Sequence, residues 1–139
     1  MSNPAPIPSM SAEPPKVDEA LVTYTHVIYA LHALAVLIGL TTWHTVVGSF
    51  VGGLPSIVAV IMNYARRSAT VGTYLESHFR WQIRTFWYAL LWAVVCGVLI
   101  VSIIGILIGL IGLVALGIWI IYRVARGWLA LKDGRPMYV

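Results

Sequence analysis

From Phe86 to Tyr122 the chain runs for about 37 residues without one charged side chain. At a rise of 1.5 Å per residue, a single helix of that length would span roughly 55 Å, nearly twice the ~30 Å thickness of a bilayer's hydrocarbon core. One membrane helix is too long for the run, and two joined by a tight turn fit it. Ser102 and Gly105 are the best turn residues inside it, which predicts spans at about 85–101 and 106–122 folded into a helical hairpin.

The rest of the chain agrees with a membrane reading. Of 139 residues, 60% are hydrophobic and 10% charged, with mean hydropathy +0.87. A soluble domain carries about 25% charged residues, so here too little polar surface exists to cover a water-exposed fold. A further apolar run at about 21–40 predicts another span; it holds His26 and His32 but no formal charge. The stretch at about 44–64 predicts one more, interrupted by Gly52, Gly53 and Pro55. Proline removes a backbone hydrogen bond and kinks a helix, a break that membranes tolerate where neighbouring groups re-satisfy the backbone. A re-entrant segment starting at Pro55 would leave only about ten apolar residues, too few to span. A kinked full span is the preferred reading.

These segments define an all-α integral membrane protein of four transmembrane helices, at about 21–40, 44–64, 85–101 and 106–122. The domain plan is a proline-rich, disordered tail over 1–20, a four-helix domain over 21–126 and a short tail over 127–139. Residues 1–16 hold five prolines and no basic residue before Lys16, which argues against a cleavable signal peptide. The nine Lys and Arg residues cluster as Lys16, then Arg66, Arg67, Arg80 and Arg84, then Arg123, Arg126, Lys132 and Arg135. With four spans they all fall on one side, which the positive-inside rule makes cytoplasmic, with both termini there. The localisation expected is the bacterial inner membrane.

Between the second and third spans, about 74–84 predicts an amphipathic cytoplasmic helix that lies at the interface and runs directly into the third span. Leu75, Phe79 and Ile83 repeat every four residues on one face, and Glu76, Arg80 and Arg84 on another. Thr73 and Glu76 have the spacing of a capping box.

Few residues suggest chemistry. His32 lies mid-span, where ionisable groups are costly and mark function by default. No carboxylate lies in any span to form a relay with it, so a neutral imidazole bonded to a neighbouring helix is the simpler reading. His26 lies six residues earlier, about 120° around the helix, so the two cannot chelate one metal from that helix. His44 and His78 add no pair with metal-ligand spacing. His26 and His32 are thus weak cofactor candidates for a haem held between helices; the expectation is no cofactor, no metal and no catalytic set. Cys96 is a lone cysteine in an apolar span. Gly105, Gly109 and Gly112 form a GxxxG-type face for close helix packing, within the bundle or with a partner. Trp43, Trp81, Trp87, Trp119, Tyr122 and Trp128 read as an aromatic belt at the headgroups. Arg66, Arg67, Arg80, Arg84, Arg123 and Arg126 set topology and can meet lipid headgroups. The basic loops are too short for a nucleic-acid face, so the expected partners are membrane lipids and a protein partner or further copies of the chain.

The segments GLPSIVAVIMNYARRS (53–68), ESHFRWQIRTFWYALLW (76–92) and YRVARGWLALKDGRPM (122–137) resemble a family of small bacterial inner-membrane proteins. That family has no assigned function and is distantly related to the membrane component of the chloroplast inner-envelope import translocon. The resemblance covers about residues 22–137. It implies a four-helix membrane domain and a link to protein movement or membrane assembly, and it brings no catalytic residues. From the residues, an accessory or assembly subunit leads, followed by an oligomeric conduit and then a haem-associated subunit.

Overall fold

The computed structural model describes residues 16–42 and 46–138, with side chains in the second segment described from 53 onward. Most of the proline-rich tail, together with Trp43 and His44, lies outside this description, and Gly52 is described by its helical backbone alone. Four helices follow in order: α1 (Glu19–Thr42), α2 (Val46–Arg66), α3 (Tyr74–Val101) and α4 (Ile106–Lys132). A single 3-10 turn (Arg67–Thr70) links α2 to α3. The described residues contain no strand. By length and composition α1, α3 and α4 are each able to cross a bilayer, and the chain has the build of a membrane protein.

Each boundary has a local cause. Asp18 caps α1: its side-chain oxygen accepts the Ala20 N–H at 2.9 Å, satisfying one of the orphan donors of the first turn. Pro55 lies inside α2, which runs on past it to Arg66. The α3–α4 turn falls at 102–105, where Ile103 takes a left-handed backbone with φ 61°. That region strains a β-branched side chain, and the other residues of the turn are small or apolar.

Two boundaries differ from the sequence expectation. Thr73 is the N-cap of α3 without closing a capping box. Its hydroxyl turns back to the Thr70 carbonyl at 2.7 Å, and the Glu76 carboxylate accepts from the Gly72 N–H instead. Gly72, with φ 78°, bends the backbone so that its own N–H is the nearer donor. At the other end α4 runs to Lys132, ten residues past the expected end of the last span. A Schellman turn stops it there. Gly134, with φ 64°, donates to the Leu131 carbonyl at 3.0 Å, and Arg135 donates to the Ala130 carbonyl at 2.9 Å. Pro136 then prevents any continuation.

Segment 74–84 forms the first turns of α3 and runs without a break into the apolar span. Its buried face runs through Leu75, His78, Phe79 and Gln82, while Ile83 is half-buried. Two apolar clusters hold this end of the molecule. Leu21 and Tyr29 meet Leu75, Val124 and Leu131, joining α1, α3 and α4. Ile28, Ala59 and Phe79 join α1, α2 and α3. Beyond them α3 and α4 continue as a hairpin whose large apolar side chains face outward, among them Val94, Val98, Val101, Leu107, Ile111, Val114 and Ile118.

Candidate functional site

The polar side chains converge at the end of the bundle that carries the arginines. His78, fully buried on α3, is their hub. Its Nε2 lies 2.7 Å from the Arg135 carbonyl. A carbonyl only accepts, so Nε2 carries a proton. In the neutral ring Nδ1 is then an acceptor, and the Tyr29 hydroxyl donates to it at 2.9 Å. Tyr29 and Tyr74 also meet the imidazole edge-on. One side chain thereby ties α1, α3 and the segment after α4 together. That segment forms a strap over α3: the Met137 N–H donates to the Ser77 hydroxyl at 2.8 Å, and the Met137 side chain is buried.

Gly127 makes room for the hub. A Cβ there would stand 2.5 Å from the Tyr29 hydroxyl oxygen and 2.7 Å from its ring, so α4 can approach Tyr29 only without a side chain at this position.

A second clasp joins α3 to α4. The Arg123 guanidinium stacks over Trp81 at 3.5 Å and lies 5.0 Å from the Trp119 ring. Its Nε donates to Thr85 Oγ1 at 2.7 Å, and the Trp81 indole N–H donates back to the Arg123 carbonyl at 3.1 Å. A planar, weakly hydrated cation suits such stacking, which an ammonium would not reproduce. Trp81 is therefore buried, not a headgroup-belt residue. Trp128 also turns to a helix neighbour, donating to His26 Nδ1 at 3.0 Å. Trp87 bonds the exposed Tyr64 hydroxyl at 3.1 Å.

The remaining sequence candidates are scattered. His32 Nδ1 lies 3.2 Å from the Ser56 hydroxyl on α2, and its Nε2 has no hydrogen-bond partner among the described residues. His26 and His32 each engage a different neighbour and share no site. Among the described residues no three His, Cys, Asp or Glu side chains gather as a metal would require. Gly109 and Gly112 face α3 within the hairpin. A Cβ on Gly109 would come within 2.7 Å of Ile100 and 2.9 Å of the Cys96 carbonyl, and one on Gly112 within 2.8 Å of Cys96 Sγ. Gly105 is the N-cap of α4, seated on the Leu99 carbonyl side of the turn. Arg80 pairs with Glu76 at 3.1 Å, Arg66 lies 5.7 Å over the Tyr24 ring, and Arg67 and Arg84 are exposed. Arg126 donates to the Tyr122 hydroxyl at 2.7 Å.

Sequence reasoning weighed His78 only as a metal ligand and passed over Gln82 and Asn63. The signal was present, because 75, 78, 79 and 82 follow the i, i+3, i+4, i+7 pattern of a core face, with two polar residues inside it. Asn63 and Gln82 are 0% and 2% exposed, and neither carboxamide has a hydrogen-bond partner within the described protein. They lie one turn from Ala59 and Phe79, flanking the second apolar cluster. His32 on α1, 7% exposed, is a further buried side chain with an unpartnered nitrogen among the described residues.

No protein-family model matches the chain. Comparisons with curated proteins and with solved structures give no match either.

Proposed function

We propose that this protein is a non-enzymatic accessory or assembly subunit of a bacterial inner membrane. In this reading α2 is the fourth span, and the arginine-bearing end, with both termini, faces the cytoplasm. The observation that carries it is the division of the molecule. The basic end is tied to itself by the His78 and Arg123 contacts, while the far half of the α3–α4 hairpin presents apolar side chains that stay exposed among the described residues. A rigid base with a free membrane-embedded hairpin suits a protein that docks onto another membrane component. The family resemblance carried by 53–68, 76–92 and 122–137 favours a role in protein movement or membrane assembly.

Native mass spectrometry after gentle extraction from the native membrane tests this reading. A stoichiometric second protein is expected. A lone monomer, together with no crosslinked neighbour in cells, would remove it.

A conduit formed by several copies is the second reading, favoured by the buried side chains of His32, Asn63 and Gln82, which carry polar atoms with no hydrogen-bond partner among the described residues. It requires a homo-oligomer and permeable vesicles after reconstitution. Impermeable vesicles would dismiss it.

A further inference from the structure

The strap that follows α4 does more than cover α3, because its other side forms a wall. Between strap and helix lies an open groove of about 600 Å³, lined by Tyr122, Arg126, Leu129, Arg135, Met137 and Tyr138. That volume is within the range of sites for small ligands. From the groove's arrangement we infer that it holds the headgroup of an anionic phospholipid.

Three observations converge on this occupant. The first is charge. Arg126 lines the groove and makes no ion pair among the described residues; its bond goes to the neutral Tyr122 hydroxyl. Arg135, on the opposite wall, pairs with Asp133 at 2.6 Å in an exposed contact. No acidic residue lines the groove, so Arg126 supplies an uncompensated positive charge and Arg135 a second donor. A guanidinium fork matches the oxygens of a phosphodiester.

The second observation is position. Arg126 lies one turn beyond the uncharged run, where a membrane helix leaves the hydrocarbon for the headgroup layer. The third is continuity with an apolar track. Stepping back along α4 from Tyr122 by four residues reaches Ile118, and by four more Val114, with Ile111 beyond. All are exposed and share one side of the helix. A ligand with a phosphate at the groove and acyl chains along this track satisfies both parts at once. A free phosphate would use the arginines and leave the track unexplained. The inference does not depend on the accessory role, since a conduit or an isolated monomer would carry the same groove.

The test uses the full chain in mild detergent, with native mass spectrometry counting retained lipid. Phosphatidylglycerol and phosphatidylcholine with identical acyl chains are the probes. The wild type is expected to retain phosphatidylglycerol at least about fivefold more than phosphatidylcholine, the loss of a charged hydrogen-bond pair being worth about that much or more. Arg126→Gln is expected to abolish the preference, and Lys132→Gln, in the last turn of α4 and outside the groove lining, to leave it intact. Leu129→Glu, at a position 61% exposed, is the second variant; it places a negative charge in the groove without touching either arginine and should also remove the preference. Thermal unfolding of each variant confirms that it is folded. Equal retention of the two lipids by the wild type would overturn the inference. So would equal losses from Lys132→Gln and Arg126→Gln, which would mean diffuse attraction to the basic end. Displacement of phosphatidylglycerol by millimolar inorganic phosphate would overturn it in favour of a soluble phosphate site.

Discussion

The two ends of this molecule are built on different principles. At the basic end, α1, α3, α4 and the strap are joined by directional side-chain contacts: Tyr29 to His78, His78 to Arg135, Arg123 to Thr85. At the charge-free end, α3 and α4 are held by shape alone, with Gly109 and Gly112 letting the backbones close around Cys96 and Ile100. The difference follows from the solvent. In lipid, apolar side chains gain nothing by leaving hydrocarbon, so close packing at small residues is the main attraction left. Near the headgroups, a buried polar group must find a partner or pay a desolvation penalty, and satisfied networks there select one arrangement of the helices.

If that contrast is right, His78→Ala should give the largest loss. It orphans the Tyr29 hydroxyl and the Arg135 carbonyl and frees the strap, at about 3 kcal/mol. Thermal unfolding in detergent, followed by helix circular dichroism, would measure it, and limited proteolysis near residue 135 should accelerate. A variant as stable as wild type would mean that the hub is ornamental.

Gly127→Val ranks next, at about 2–3 kcal/mol, because the added side chain overlaps a tyrosine that cannot turn away without losing His78. Restoring stability with Gly127→Val/Tyr29→Ala, relative to Tyr29→Ala alone, would sharpen the assignment to that single overlap. A comparable loss is expected from Gly109→Val at the far end, about 2 kcal/mol, since the Cys96 carbonyl is backbone and cannot move aside. There the signature should differ. Cys96, buried in this structure, should become reactive to a membrane-permeant maleimide, which Gly127→Val should not cause.

Exposed positions of the hairpin should respond least. Val98→Ala and Val114→Ala are expected to change stability by under about 0.5 kcal/mol in detergent. Ile103→Gly should raise it by about 1 kcal/mol by relieving the left-handed strain in the turn. If Val98→Ala instead weakened the protein only in its native membrane, the hairpin would have a partner there, and the contrast would extend to a second molecule.

How much of this was legible in the chain depends on the kind of residue. The uncharged run and the turn at 102–105 could be read directly, because span length is set by bilayer thickness and by helix rise. The Schellman stop at Asp133, Gly134 and Pro136 was also written in the sequence, as a glycine followed two residues on by proline, although the apolar count had drawn the last span to an earlier end. His78 was legible only as a misfit in a core stripe, and its partners were not legible at all. Tyr29 lies 49 residues away and Arg135 57.

Sequence by itself therefore determined the class of solvent, three of the long apolar helices and the clustering of positive charge. Those properties are sums over local stretches, and hydrocarbon acts on each stretch independently. Only the tertiary structure decided which polar side chains were buried together, that Trp81 cradles Arg123 instead of standing in a headgroup belt, and that the strap and α4 enclose a groove around Arg126. Each of these depends on distances between segments far apart in the chain. Helix rotation and crossing set those distances, and no local pattern encodes them.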